Sequence, residues 1–337
     1  MIVFSLIFFF LGLFLFCTFI IILGLKYIYY PDRWSSLLRN PSAIMYAGCF
    51  PMGAATLINV AVTVINGQLN FGGRSFLYFI WVIWWLDVCI SFVCCWVGVH
   101  SMYGSVHVFF LVFFKCWLLY LTRITLKKQS LDAMTARWLL PVMTLMVAST
   151  SGGVVGRAIQ VYSQLHSIQT FMVSVYMVAV GFTLTLMILT IYLMRLFLHG
   201  LPPNAKVLSV FLPIGPTSQS GYSILMIGQN FHKLLPLPFQ SSEFFNYPST
   251  GIIVEVVCIC CSFILWSLAT MWILYALLAV YSGVRQSKIA FKASFWGIVF
   301  PNVSPLYPVC LLDFHLMLML HPLGCLCTPY NRARLYI

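Results

Sequence analysis

The chain has 337 residues, of which 62% are apolar and only 7% charged, against about 25% charged in a soluble domain. A soluble globular fold is excluded, and the sequence reads as an all-α, polytopic membrane protein. Eighteen Lys and Arg against six Asp and Glu give a net charge of +12. That excess is what cytoplasmic loops of membrane proteins collect, and it carries no implication of nucleic acid.

In chain order, Ile2–Leu25 is the first apolar span, followed by the basic loop Lys26, Arg33, Arg39. Ser42–Ile65 is the second and carries Phe50-Pro51-Met52-Gly53 and Asn59. Phe76–Trp96 is the third, rich in Trp, with Asp87 inside it. Tyr103–Leu121 is apolar but contains His107 and Lys115, and a strongly basic loop follows from Arg123 to Arg137. Trp138–Val161 contains Pro141 and Ser149-Thr150-Ser151-Gly152-Gly153, with Arg157 near its end; Ile168–Leu198 is smooth and ends at Arg195. Val207–Asn230 carries Pro213, Gly215, Pro216 and Gly221 around Thr217-Ser218-Gln219-Ser220. Gly251–Tyr281 is smooth and leads to Arg285, Lys288 and Lys292; the last span, Ala293 to Leu312, is broken at Pro301.

If the four basic clusters all face the cytoplasm, an even number of spans separates each neighbouring pair. The run 103–122 is one too many, and Lys115 at its centre is costly in lipid, so it is expected to be a non-spanning insertion. Eight crossings remain, with residues 1–337 forming a single transmembrane domain. Proline-bearing spans alternate with smooth ones, as in helical-hairpin repeats. The simplest arrangement places the interrupted helices around a path and the smooth helices outside.

Backbone freed by Pro and Gly is tolerated in lipid only inside protein or beside water. Ser149, Ser151, Ser218, Gln219, Asn302 and Asn59 therefore have two readings. They offer neutral donors to an anion, or they bond their own helix and its neighbours. Intramembrane charge is a functional hypothesis by default. Asp87 reads as a proton-coupling carboxylate, as a structural acceptor outside the path, or as a partner of Arg157; the structural reading is preferred, because an acid in the path would repel an anion. Cys residues lie mostly in apolar runs, no Cys/His set has zinc spacing, and no cofactor motif or catalytic set is present, so no enzyme is expected.

Several ordered motifs resemble the tellurite-resistance/dicarboxylate transporter family of voltage-dependent anion channel-like proteins, and the fungal sulfite efflux pumps within it. They are Phe50-Pro51-Met52-Gly53, Trp84-Trp85-Leu86-Asp87-Val88, Trp138-Leu139-Leu140-Pro141, Val147 to Gly153, Phe211-Leu212-Pro213-Ile214-Gly215-Pro216, and Phe295 to Asn302. The resemblance implies ten helices in five hairpins, kinked helices lining a central pore in each subunit of a homotrimer, and a Phe that gates it. That Phe falls on Phe300, before Pro301. The pore lining it implies comprises Phe50, Pro51, Asn59, Pro141, Ser149, Ser151, Pro213, Pro216, Ser218, Gln219, Pro301 and Asn302. The implied activity is sulfite or bisulfite efflux at the plasma membrane. The alternatives are C4-dicarboxylate (malate) transport, and a non-transporting remnant or mis-spliced reading frame. The last follows from three departures: the family's first helix has no counterpart, 103–122 is inserted, and residues 303–337 diverge.

Overall fold

The computed structural model describes residues 2–30, 32, 45–103, 134–200, 209–235, 247 and 249–286. Phe300, Pro301, Asn302, the last span, the insertion beyond Tyr103 and the tail 303–337 lie outside them. Every described element is helical: α1 (Ile2–Tyr29), α2 (Cys49–Val60, continued by a π-helical turn Ala61–Asn66), α3 (Gly73–Tyr103), α4 (Leu140–Ile159), α5 (Gln164–His199), α6 (Ile214–Leu234) and α7 (Thr250–Gln286).

The interruptions fall at helix starts. Residues 45–47 are helical and a turn at Gly48 separates them from α2; a 3-10 segment, Ala136–Leu139, leads into α4; a 3-10 turn at 209–211 leads into α6. Pro51, Pro141 and Pro216 occupy the first turns of these helices, and Pro213 immediately precedes α6. There a missing N–H costs nothing, because the first N–H groups of a helix have no intrahelical partner. Gly221 does not interrupt α6, which is continuous from Ile214. A Cβ at Gly221 would stand 3.4 Å from Leu265 Cβ and 3.5 Å from Ser262 O, so this glycine lets α7 approach.

Consecutive helices form antiparallel hairpins. Ser167 bonds Gly156 O at 2.9 Å across the α4–α5 pair. Ser262 bonds Gly221 O at 2.8 Å across α6–α7. The helices α2, α4 and α6 run parallel to one another: Ser151 reaches Ala55 O, and Ser149, Thr150 and Gly153 meet Ser223, Gln219 and Asn230 in register. Ninety-four per cent of the α4 span is buried, against 6% for α1 and 17% for α7. Thus α4 is the core helix, and α1 and α7 are peripheral. Small residues make this possible, because a Cβ at Gly156 would stand 2.8 Å from Phe171 Cδ1, and close backbone approach is what packs helices in lipid.

The outer helices present Phe4, Phe8, Phe14, Ile264 and Leu278 outward, a surface suited to lipid or to another protein surface. Exposed hydroxyls on it bond their own helix, as lipid requires: Thr18 bonds Phe14 O at 2.8 Å and Thr190 bonds Leu186 O at 2.8 Å. Six described helical segments are long and apolar enough to cross a membrane. The helix α6 has the length but not the apolarity. Its polar side chains are carried at membrane depth because α4, α5 and α7 shield them.

Candidate functional site

At the starts of α2, α4 and α6 the three inner helices converge. A Cβ on Gly48 would stand 3.0 Å from Leu140 O, so only glycine lets the start of α2 approach α4 this closely. Met52, Ala55, Leu140, Met143 and Val147 form one buried cluster with Leu212 packed against it. Arg137 donates to the Tyr46 hydroxyl at 3.3 Å, joining the lead-in segments. All three helices begin at this end of the bundle, each after a loop rich in Lys and Arg in the sequence.

Further along, polar side chains hold the bundle together. Ser149 donates to Ser174 O at 2.7 Å and lies 2.7 Å from Ser223 Oγ. A hydroxyl has one hydrogen, so Ser223 is the donor in the second bond, and Ser149 links α4, α5 and α6. Ser151 donates to Val147 O and Ala55 O at 3.2 and 3.3 Å. Ser218 bonds back to Ile214 O at 2.7 Å. All three hydroxyls are engaged in hydrogen bonds in buried sites.

Pro51, Pro141, Pro213 and Pro216 are buried at the end where α2, α4 and α6 begin. Phe50 stacks on Phe16 of α1 with centroids 5.2 Å apart, on the side of α2 opposite Met52 and Ala55. Asn59 is half-buried and its Oδ1 has no partner. Asp87 is 3% exposed on the stripe of α3 that faces α4, one turn from Ser91; both carboxylate oxygens and the Ser91 hydroxyl lack partners. It does not pair with Arg157. Its neighbour Trp84 bonds Ala148 O at 3.0 Å, nine residues or ~13 Å of helix below Arg157, which is exposed in the last turn of α4.

Gln219, already among the candidate lining residues, begins a row whose other members the motifs do not anticipate. The incompletely buried positions on one face of α6 are Gln219, Tyr222, Met226, Gln229 and Lys233, spaced by three or four and therefore stacked. Alongside runs a row of α4, Thr150, Gly153 and Arg157. Gln219 donates to Thr150 Oγ1 at 2.9 Å, Asn230 donates to Gly153 O at 2.9 Å, and a Cβ on Gly153 would stand 2.8 Å from Met226 Cγ. The opposite face of α6 is apolar. Ile224, Ile227, Phe231 and Leu235 line a groove of about 290 Å³ with residues of α5 and α7. The helix thus has a polar side toward α4 and a lipid-like side. The 3.6-residue period of the polar face was the available signal. At the outer end His232 bonds Glu255 across α6–α7.

Among the described residues, no three His, Cys, Asp or Glu side chains are grouped to hold a metal ion. No solved structure matches the chain. The sulfite efflux pump SSU1 of Arthroderma benhamiae is 31% identical over 298 residues, 88% of this chain and 70% of the relative. The protein of the same name in Trichophyton rubrum is 31% identical over 294 residues, 87% and 69% of the two chains. The malic acid transport protein of Schizosaccharomyces pombe is 20% identical over 303 residues, 87% and 60% of the two. Residues 1–307 match the voltage-dependent anion channel (SLAC1) family. The chain, an all-α multi-pass membrane protein, belongs to that family of anion transporters and channels.

Proposed function

We propose that this protein exports sulfite or bisulfite across the plasma membrane, along the seam between the polar face of α6 and α4. The observation that carries this reading is the seam itself, entered from the cytoplasm past three parallel helix N-termini. Each N-terminus carries a partial charge of about +0.5, and Arg137, bonded to Tyr46 at the same end, adds a cation that draws an anion toward the seam. The interior is then lined by neutral side chains, Gln219, Tyr222 and Gln229. Neutral donors suit conduction, because an ion bound by a buried charge leaves slowly. The seam contains no acid; Asp87 is outside it, on α3.

Supporting the substrate are the relatives named sulfite efflux pumps at 30–31% identity. Transport rather than catalysis is the activity, the unit is a homotrimer, and Phe300 gates the path, so that Phe300→Ala raises anion conductance. Malate transport is the second reading, favoured by the likeness to the malic acid transport protein. Expression in cells lacking sulfite export separates these. Restored sulfite tolerance with rising extracellular sulfite is the expected result. Malate uptake without sulfite tolerance supports the second reading, and neither, with the protein at the cell surface, overturns both.

A further inference from the structure

The helices α4 and α6 end together at the outer end of the seam, and their C-terminal partial charges of about −0.5 each are offset by the starts of α5 and α7 at the same end. The charge an anion meets there is therefore set by side chains. Arg157 stands in the last turn of α4 and Lys233 in the last turn of α6, both exposed. They belong to the two polar rows: Arg157 follows Thr150 and Gly153, and Lys233 follows Met226 and Gln229. Arg157 lies one turn beyond Gly153 and Lys233 three residues beyond Asn230, and Asn230 donates to Gly153 O at 2.9 Å, so like charges sit on neighbouring turns rather than dispersed. Glu255 acts on Lys233, and its carboxylate is bonded to His232. Among the described residues, neither Arg157 nor Lys233 forms a salt bridge.

We infer that Arg157 and Lys233 form an exit site for small oxyanions at the outer mouth of the seam. It rests on the proposed path and adds a place where the anion pauses before release. The pair carries +2 against roughly −1 from the nearby Glu255 carboxylate, while the C-termini of α4 and α6 are offset by the N-termini of α5 and α7, so the mouth is net positive by about one unit. Being water-exposed, the site attracts without holding. A unit charge about 8 Å from the anion in a water-like dielectric changes its local concentration roughly twofold, and two charges roughly fourfold. Salt at high concentration screens the effect over the same distance.

The test is sulfite efflux from proteoliposomes at low and high ionic strength, for the wild-type chain, Arg157→Gln/Lys233→Gln and Arg157→Lys/Lys233→Arg. At low salt the neutral double variant is expected to run roughly fourfold slower than wild type, the difference closing at high salt. The charge-conserving variant should match wild type. Residues that only balanced the helix ends would alter thermal stability while leaving the efflux rate and its salt dependence unchanged. That outcome, in folded protein, overturns the exit site alone. Should the neutral variant not fold, wild-type efflux indifferent to salt has the same consequence. Absence of sulfite efflux by the wild-type chain instead overturns the transport reading, and the exit site with it.

Discussion

Gly152→Ala is the sharpest test of the packing on which the seam depends. The new methyl carbon would stand 2.6 Å from Trp84 Cζ2 and closer still to Ser174 Oγ, where about 3.5–4.0 Å is ordinary contact. Neither neighbour is free to yield. Trp84 is fully buried with its indole N–H on Ala148 O at 3.0 Å. The Ser174 hydroxyl donates to Thr170 O at 2.8 Å, and its carbonyl accepts from Ser149. Helices α3 and α5 must therefore both move from α4, at a cost of about 1–3 kcal/mol. At roughly 2–4 °C per kcal/mol for a large domain, the melting temperature of detergent-purified protein should fall by about 2–12 °C. Adding Ser174→Gly removes the shortest clash and should return part of that loss, a non-additive result for residues in contact. Gly24 has nothing within 4 Å of its Cβ position, and Gly24→Ala serves as the neutral control. A Gly152→Ala protein melting with wild type would refute the close three-helix contact.

Ser149→Ala removes a donor to Ser174 O and strands the Ser223 hydroxyl; a loss of about 1–2 kcal/mol is expected in thermal or denaturant unfolding. Asp87→Asn removes a buried carboxylate that has no bonded partner. Stability equal to or above wild type, with unchanged efflux, is expected, and lost efflux in folded protein would give Asp87 a part in transport. Asn230→Leu deletes the α6–α4 bond to Gly153 O, with an expected cost of about 0.5–1.5 kcal/mol read from unfolding.

Much of this architecture is legible in the sequence, because lipid imposes a narrow set of solutions. The alternation of proline-bearing and smooth spans identifies Cys49–Val60, Leu140–Ile159 and Ile214–Leu234 as the inner helices, since only shielded helices tolerate such starts. Pro141 opens its span in the sequence and stands in the first turn of α4. Pro51 and Pro216 read as interruptions within their spans but also stand in first turns, and nothing in the local sequence separates a kink within a span from a start at its edge. Hydroxyls are ambiguous for a related reason. Whether Ser149 faces a path or a neighbouring carbonyl depends on Ser174 and Ser223, which are distant in sequence and adjacent only after packing. The densest polar run, Thr217 to Ser220, stands out in the sequence, and three of its four residues are buried. The row that continues from Gln219 to Lys233 is less legible because its members are a turn apart.

The claim that the polar face of α6 lines the path is tested most directly by single cysteines, placed in a chain whose exposed native cysteines are replaced. The substitutions are Tyr222→Cys, Met226→Cys and Gln229→Cys on the polar face, and Ile224→Cys, Ile227→Cys and Phe231→Cys in the apolar groove. A thiol in contact with water ionises and reacts, whereas one in an apolar setting does not. The account predicts labelling by a membrane-impermeant thiol reagent on the polar face and none in the groove. Labelling in the groove with an inert polar face would contradict it.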